Sequence, residues 1–218
     1  MYKYILFDLD GTLTDPKEGI TNCVQYALDS YGIYDQPMET LIKFIGPPLT
    51  ESFMVYYGME KSQAVAAVEK YRERFNDTGI FENRLYDGVD TMLETLKSCG
   101  KVLAVASSKP EVYVKRILEH FGIRQYFDIV KGSFLDGTRV IKSEVIEAVF
   151  DELPEGFDKK SLVMVGDRLH DVNGAKAVHA ASIGVAFGYG GRKELEDAGA
   201  DYVVDSVEEL TALIMAED

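Results

Sequence analysis

The chain has 218 residues, 46% hydrophobic composition and a formal net charge of −14. Length and composition predict one full domain with a smaller insert, and they exclude wholesale disorder. The acidic balance excludes nucleic acid and anionic membrane surfaces as expected partners, because both carry negative charge. No apolar run approaches the roughly 20 residues of a membrane span, and the N-terminus shows no leader, so we expect a cytoplasmic protein with no membrane partner.

Short apolar runs along the chain have the length of buried strands in a parallel sheet that is covered on both faces. They lie at residues 4–8, 102–106, 128–130, 162–165, 182–185 and 202–204. Helical patterns stand between them, at 89–98, 111–121, 143–150, 172–178, 192–198 and 207–215. Because strands and helices alternate, the sequence predicts a doubly wound, mainly parallel α/β fold. In such a fold, the ligand site lies beyond the carboxyl ends of the strands.

Residues 16–81 interrupt this alternation, because they show helical periodicity and no strand run. One apolar face comprises Ile20, Cys23, Val24, Ala27, Leu28 and Tyr31, and a second comprises Val65, Val68, Tyr71 and Phe75, with a stop at 76–79. We predict a core formed by residues 1–15 and 82–218, and a helical bundle formed by 16–81 that serves as a lid. The two cysteines, Cys23 and Cys99, are expected to be reduced and buried.

Two carboxylates follow the first strand, in the segment Asp8-Leu9-Asp10-Gly11-Thr12. Residues i and i+2 of a strand point to the same side, so Asp8 and Asp10 are predicted to emerge together. Two like charges at that distance repel each other unless a cation or a shared proton compensates. The pair therefore indicates a metal-assisted catalytic site.

Other strand ends supply groups that suit phosphoryl chemistry. Ser107-Ser108-Lys109-Pro110 offers hydroxyls and a helix N-terminus, with Pro110 in the first helical turn, as an anion receptor. Lys142 opens a predicted helix and can offset phosphoryl charge. Asp167 ends another strand and Asp171 follows at a helix start, and such oxygen ligands suit Mg²⁺. Each segment alone is also compatible with ordinary capping or a surface lysine; together they favour a site.

Taken in chain order, these four motifs resemble those of the haloacid dehalogenase superfamily of aspartyl phosphohydrolases. The resemblance covers essentially the whole chain and implies a Rossmann-like core with a helical C1 cap. Three further segments, Gly19-Ile20, Phe44–Leu49 and Gly188-Tyr189-Gly190, resemble the phosphoglycolate phosphatase-like and 5′-nucleotidase-like branch.

The resemblance implies a catalytic role for four residues. Asp8 would attack phosphorus and form an aspartyl-phosphate. Asp10 would protonate the leaving oxygen and then deprotonate the attacking water. Ser107 would hold a phosphoryl oxygen, and Lys142 would offset charge on the nucleophile and the phosphate. The presence of Asp10 speaks against dehalogenation, because a halide leaving group needs no acid.

The resemblance also implies Mg²⁺ as cofactor and a small-molecule phosphate ester as partner, for a monomer or a homodimer. The metal ligands would be the Asp8 carboxylate, the Asp10 main-chain carbonyl and Asp167, with Asp171 acting through water or orienting the site. The secondary substrate contacts would be Thr12, Ser108 and Lys109. In the insert, Phe44 could stack on a base, and the turn at Gly46 could bring backbone amides near a ligand. Aromatic residues at helical spacing are also typical of a core.

Three activities are compatible with these residues. The leading expectation is a Mg²⁺-dependent phosphatase of small phosphomonoesters, with 5′-nucleotides or phosphoglycolate as first candidates. A phosphomutase of the β-phosphoglucomutase type would return the phosphoryl group to a sugar instead of water. A non-enzymatic aspartate phospho-acceptor of the receiver type is disfavoured, because receivers carry the acceptor on the third strand and have no lid.

Overall fold

The structure, a computed structural model, describes residues 2–216 of the chain. It divides the chain into two compact units. Unit 1 comprises Met1–Thr14 and Leu85–Asp218, and unit 2 comprises Asp15–Arg84. The segment 16–81, predicted to be a helical bundle, falls entirely within unit 2.

Eight strands are present in the described residues. They are β1 Tyr4–Phe7, β2 Thr14–Asp15, β3 Arg84–Leu85, β4 Val102–Pro110, β5 Ile129–Ser133, β6 Leu162–Gly166, β7 Ala181–Val185 and β8 Tyr202–Val204. Six of them form a sheet in the order β5-β4-β1-β6-β7-β8, and every neighbouring pair is parallel. The short strands β2 and β3 pair with each other, where the chain leaves and re-enters unit 1.

The same residues form ten α-helices. They are α1 Lys17–Asp29, α2 Met38–Leu41, α3 Leu49–Tyr57, α4 Lys61–Arg74, α5 Val89–Ser98, α6 Glu111–His120, α7 Lys142–Phe150, α8 Leu169–Ala177, α9 Gly191–Asp197 and α10 Val207–Ala216. Helices α5 to α10 alternate with the sheet strands of unit 1, so the predicted α/β fold with a parallel sheet is confirmed. No helix in the described part of the chain has both the length and the apolar character needed to cross a bilayer.

The register of the three central strands, β4, β1 and β6, places the residue pairs at the carboxyl end of β1 side by side. Phe7, the last residue of β1, is paired with Val105 of β4 and with Val165 of β6. All four residues of β1 are buried, as expected for a central strand with both faces covered. One core cluster joins these strands to α7 and α8, through Leu6, Ala104, Met164, Val145 and Ala175, among others. This packing holds α7 and α8 against the central strands.

Strand β4 runs further than the apolar pattern predicts. It continues to Pro110, which pairs with Ser133, and its register shifts between Ala106 and Pro110. Pro110 has an extended backbone, with φ −53° and ψ 129°, and α6 begins only at Glu111. The prediction that Pro110 lies in the first helical turn is therefore wrong, because pairing with β5 keeps the segment extended.

Unit 2 is helical and has an aromatic core. The rings of Phe44 and Phe53 are 4.9 Å apart and edge-on, and those of Tyr71 and Phe75 stack at 5.2 Å. The predicted apolar faces are buried except at Tyr31, which is 37% exposed, and Val65, which is 47% exposed. Tyr31 lies beyond the last residue of α1, Asp29, and Val65 lies at the edge of the apolar stripe of α4, so neither side chain is fully covered.

The helical segment ends at Gly79, within the predicted stop at 76–79, because α4 ends at Arg74 and is followed by a π-helical turn over Phe75–Gly79. A Cβ on Gly79 would collide with Sγ of Cys23, and one on Gly19 would collide with the carbonyl oxygen of Gly79. Two glycines thus let α1 and this turn approach closely. Both cysteines are free thiols, but Cys99 is exposed, which corrects the prediction that it is buried. It directly follows the end of α5.

Candidate active site

The central strand delivers two carboxylates to one edge of the sheet. The amide of Asp8 donates to the carbonyl oxygen of Val165 at 2.9 Å, which extends the β1–β6 ladder by one residue. The chain then turns at Gly11, whose φ of +83° is in the left-handed region. Asp8 and Asp10 are 7% and 9% exposed. Both predicted catalytic carboxylates are therefore largely withdrawn from water.

Lys142, the first residue of α7, is a buried cation between two carboxylates. Its Nζ lies 3.0 Å from Oδ1 of Asp8 and 2.8 Å from Oδ1 of Asp171, and it donates to the carbonyl oxygen of Ala106 at 2.9 Å. Gly174 of α8 leaves room for the lysine stem, since a Cβ there would lie 2.6 Å from Cγ of Lys142. Burial opposes the charge, but Asp171 and Asp8 outweigh it and raise the pKa of Lys142 to about 12.

Asp10 has a different cationic partner. Nζ of Lys109 lies 2.6 Å from Oδ2 of Asp10, and both side chains are buried. Oδ1 of Asp10 has no hydrogen-bond partner within residues 2–216. Burial raises the pKa of Asp10 and nearby Asp8 adds to the effect, while Lys109 opposes it without cancelling it. Asp10 can therefore hold a proton at a higher pH than an exposed aspartate.

Three carboxylates converge where β1 and β6 end. Oxygen atoms of Asp8, Asp167 and Asp171 all lie within 4.8 Å of one another. Burial and the neighbouring Asp171 raise the pKa of Asp167 well above its usual range. Burial also raises the pKa of Asp171 to about 6, against the opposing effect of Lys142. One ammonium group does not compensate three buried acids, so this cluster favours binding of a further cation.

The donor set fits a hard divalent cation such as Mg²⁺. Oδ2 of Asp167 accepts a hydrogen bond from the amide of Tyr189 at 2.7 Å, whereas its buried Oδ1 has no such partner in the described structure. Asp171 is more fully engaged, because its Oδ1 meets Lys142 and its Oδ2 accepts from the amide of Arg168 at 3.1 Å. A free carboxylate oxygen beside Asp8 is the ligand chemistry that Mg²⁺ prefers.

The predicted hydroxyl residues lie in the same unit. Ser107 is 2% exposed, and its Oγ accepts from the amide of Lys109 at 3.3 Å. Thr12 is also buried, and its Oγ1 has no hydrogen-bond partner among the residues described. Ser108 donates its hydroxyl proton to the carbonyl oxygen of Val140 at 3.0 Å. Ser107 and Thr12 are therefore better placed than Ser108 to donate a hydrogen bond to a ligand.

Comparison with known sequences decides the family. Residues 5–185 match the sequence model described as haloacid dehalogenase-like hydrolase. The chain belongs to this family.

Individual relatives of this hydrolase agree with that assignment. A 5′-nucleotidase from Pseudomonas aeruginosa is 48% identical over 194 residues, which are 89% of this chain and 87% of that protein. The tyrosine-protein kinase PtkA from Mycobacterium tuberculosis is 40% identical over 189 residues, 85% of this chain but 62% of that protein. A crystal structure described as a predicted phosphatase from Clostridium acetobutylicum superposes with a TM-score of 0.95 at 46% identity, covering 99% of both chains. The predicted family and its phosphatase class are confirmed.

Unit 2 of the hydrolase contains the other two predicted substrate contacts. Phe44 is 1% exposed, and its ring packs against Phe53 inside the unit. It has no open face for stacking on a base, so its substrate contact stays a prediction. Gly46 is partly exposed and has a φ of +102°. Its contact with a ligand likewise stays a prediction.

The contacts that support the hydrolase acids carry no signal in the local sequence pattern, although some of the residues that make them belong to the motifs. A Cβ on Gly11 or Gly188 would collide with Asp167, and one on Gly166 would collide with Asp171. The amide of Tyr189 and the carboxylate of Glu194 bind the segment that contains Asp167. The glycine-rich composition after β7 indicates a loop, but the sequence does not show that this loop contacts Asp167.

Proposed function

We propose that this hydrolase is a Mg²⁺-dependent phosphatase of small phosphomonoesters, acting through an aspartyl-phosphate at Asp8. Nucleoside 5′-monophosphates are the first substrate class and phosphoglycolate the second. The observation that carries the proposal is the contrast between two neighbouring carboxylates. Asp8 belongs to the group of three acids whose oxygen atoms lie within 4.8 Å of one another, beside the cationic Lys142. Asp10 is not part of that group; it pairs with Lys109, and burial raises its pKa. This placement supports Asp8 as the nucleophile beside the metal and Asp10 as the group that carries a proton.

In the first step, a carboxylate oxygen of Asp8 attacks phosphorus while the bond from phosphorus to the leaving oxygen breaks. Asp10 donates its proton to that oxygen, so the alcohol departs neutral. Lys142 remains cationic and offsets negative charge as the phosphoryl group moves onto Asp8. Ser107 and Thr12 supply hydroxyl groups for the phosphoryl oxygens.

In the second step, Asp10 is a carboxylate and removes a proton from water, whose oxygen attacks phosphorus. The bond between phosphorus and the Asp8 oxygen breaks and inorganic phosphate leaves. Asp8 is again a carboxylate and Asp10 again carries a proton, so the cycle is balanced. Lys109, 2.6 Å from Asp10, holds this carboxyl group in place throughout.

The Asp8 carboxylate, Asp167 and the Asp10 main-chain carbonyl would hold Mg²⁺. When bound, the ion supplies Lewis-acid stabilisation of phosphoryl charge. Asp171 orients the site instead of binding directly, because Lys142 and the Arg168 amide already engage its two oxygens.

Unit 2 is proposed to select the substrate as a lid, with Gly46 in its recognition segment and Phe44 in the core behind it. The preference for 5′-nucleotides is supported by the relative named 5′-nucleotidase, which matches 89% of this chain. Unit 2 also has exposed aromatic side chains, such as Tyr34 at 64% exposure and Tyr56 at 40%. Exposed aromatic rings can stack on a flat base.

A substrate panel tests the proposal. The full-length protein is assayed for phosphate release from nucleoside 5′-monophosphates, phosphoglycolate and hexose phosphates, with Mg²⁺ and with a chelator. Nucleoside 3′-monophosphates are the matched control for position. We expect Mg²⁺-dependent hydrolysis with the highest kcat/KM on a 5′-monophosphate. Isomerisation that requires a sugar bisphosphate, with little free phosphate, would contradict the proposal and support the phosphomutase.

A further inference from the structure

One carboxylate on α9 holds the residues that follow Asp167 in the chain. Oε1 of Glu194 accepts a hydrogen bond from Nε of Arg168 at 2.8 Å and another from the main-chain amide of Leu169 at 2.9 Å. Arg168 and Leu169 connect Asp167 to the first turn of α8. Glu194 therefore fixes both a side chain and the backbone of the segment that carries a proposed metal ligand.

The loop before α9 packs directly on Asp167. A Cβ on Gly190 would collide with the carbonyl oxygen of Asp167 and would lie 2.9 Å from Oε1 of Glu194. A Cβ on Gly188 would collide with Cβ of Asp167. Between these two glycines, the amide of Tyr189 donates to Oδ2 of Asp167 at 2.7 Å. Residues 188–194 thus contact the side chain of Asp167, its carbonyl group and the two residues after it.

These contacts leave one atom of Asp167 uncommitted. Oδ2 is occupied by the Tyr189 amide, while the buried Oδ1 has no hydrogen-bond partner within the described chain. Protein groups that orient metal ligands are an established way to set metal affinity, and their loss typically weakens binding about 10- to 100-fold.

We propose that Glu194 is a positioning residue, which anchors the loop 188–194 on the Asp167 segment and keeps Oδ1 of Asp167 available to Mg²⁺. The inference rests on the proposed metal site. A carboxylate that accepts from the first turn of a helix also acts as a helix cap, which stabilises the fold without any role in metal binding. The two roles are separable, because a cap alone changes the stability of the protein but not its intrinsic affinity for Mg²⁺.

The test compares three full-length variants with the wild type by calorimetric titration of Mg²⁺ into metal-free protein. Glu194→Ala removes both hydrogen bonds. Glu194→Gln keeps an oxygen for the Leu169 amide but removes the charge that faces Arg168. Asp197→Ala is the matched control, since this exposed residue of the same helix pairs with Lys193 at 2.7 Å, away from Asp167 in the chain. Circular dichroism of each metal-free variant confirms that it is folded.

We expect Glu194→Ala to weaken Mg²⁺ binding about 10-fold or more, Glu194→Gln to weaken it less, and Asp197→Ala to leave it unchanged. Raising Mg²⁺ to saturation should restore kcat of the Glu194 variants towards the wild-type value. Unchanged Mg²⁺ affinity in folded Glu194→Ala would overturn the proposal, as would an equal loss in Asp197→Ala. If Glu194→Ala does not fold, unchanged affinity in Glu194→Gln overturns it. A wild type that binds no Mg²⁺ contradicts the proposed metal site itself, so the two failures are distinguishable.

Discussion

Units 1 and 2 bury different kinds of side chain. In the described part of unit 1, the buried charged residues are Asp8, Asp10, Lys101, Lys142, Asp167 and Asp171. The described residues of unit 2 bury no charged side chain, and their buried polar groups are Thr21 and Ser52. Unit 2 instead places its ion pairs outside the core, as in the pair of Arg74 with Glu82 at 2.6 Å. Buried charge therefore distinguishes unit 1 from unit 2, whereas both units have apolar cores.

Unit 1 contains the groups whose burial costs free energy of folding, and all of these groups except Lys101 are its candidate site residues. Burying a charge without full compensation is destabilising, and a carboxylate cluster with one ammonium group is only partly compensated. Aromatic and aliphatic packing in unit 2 carries no such penalty. Substitutions at the charged cluster of unit 1 should therefore change activity far more than stability. Substitutions in the core of unit 2 should show the opposite pattern.

The largest expected effect is that of Asp8→Asn. An amide oxygen is a poor nucleophile, so kcat should fall on the order of 10⁵-fold or more. The thermal unfolding midpoint without metal should stay close to that of the wild type, because the change removes one attraction to Lys142 and also the repulsion from Asp167 and Asp171. Steady-state kinetics and scanning calorimetry measure the two quantities. A variant with near-normal turnover would break the assignment of the nucleophile.

Asp10→Asn should have the next largest effect, and its size should depend on the substrate. Loss of a general acid and base typically costs roughly 10²- to 10⁴-fold in rate. An activated aryl phosphate needs no proton on its leaving group, so its release step should be much less affected than that of an alkyl phosphate. Pre-steady-state rates of alcohol or phenol release compare the two. Equal losses on both substrates would contradict a role for Asp10 in protonating the leaving oxygen.

Phe53→Ala, in the core of unit 2, should lower stability without changing Mg²⁺ binding. Phe53 is fully buried beside Phe44, and truncation of a buried phenylalanine costs about 3–5 kcal/mol. Denaturant unfolding should detect this loss, while calorimetric affinity for Mg²⁺ should be unchanged. Val55→Ala, at a residue of the same helix that is 67% exposed, is the control and should stay within about 0.5 kcal/mol of the wild type. A loss of Mg²⁺ affinity in Phe53→Ala would show that the units are not independent.

The smallest predicted effect is a pH dependence of the metal-free protein. Burial raises the pKa of Asp171 from its ordinary value of 3.8 to about 6, so its contribution to stability is present below 3.8 and is lost as pH rises through about 6. Between about pH 5 and pH 7, the unfolding midpoint of metal-free wild type should fall, and that of Asp171→Asn should fall less. Saturating Mg²⁺ should offset the decline, because it would bind the folded protein at the Asp8 and Asp167 carboxylates and so stabilise it. A midpoint that rises with pH across this range in metal-free wild type would contradict the account.

The elements of the fold that follow a periodic pattern could be predicted from the sequence. Helix α5 at Val89–Ser98 and strand β8 at Tyr202–Val204 have the predicted bounds. The buried residues of α5 follow a clear helical period, whereas β8 is marked by its short apolar run. The pair of β2 and β3 was not predicted, since two residues show no period. The extension of β4 to Pro110 was missed for a related reason. It depends on pairing with β5, and the local signal of a proline before a helix points the other way.

The strand-end acids of the site could also be predicted, because each follows an apolar run directly. Their partners could not. The ion pair of Lys109 with Asp10 joins residues 99 apart in the chain, and Tyr189 reaches Asp167 across 22 residues. Such contacts depend on how two loops fold over the sheet edge, for which the local pattern carries no information. The sequence also does not distinguish the two possible roles of Phe44, because an aromatic residue at helical spacing is compatible both with a core and with a ligand contact.

An aspartyl-phosphate at Asp8 should be detectable during turnover. The protein is mixed with a 5′-monophosphate and Mg²⁺, quenched in acid within the first turnover, digested and examined by mass spectrometry. We expect one added phosphoryl group on the peptide that contains Asp8, absent without substrate and absent in Asp8→Asn. Rapid turnover with no phosphorylated peptide, or with the phosphoryl group on another residue, would contradict it.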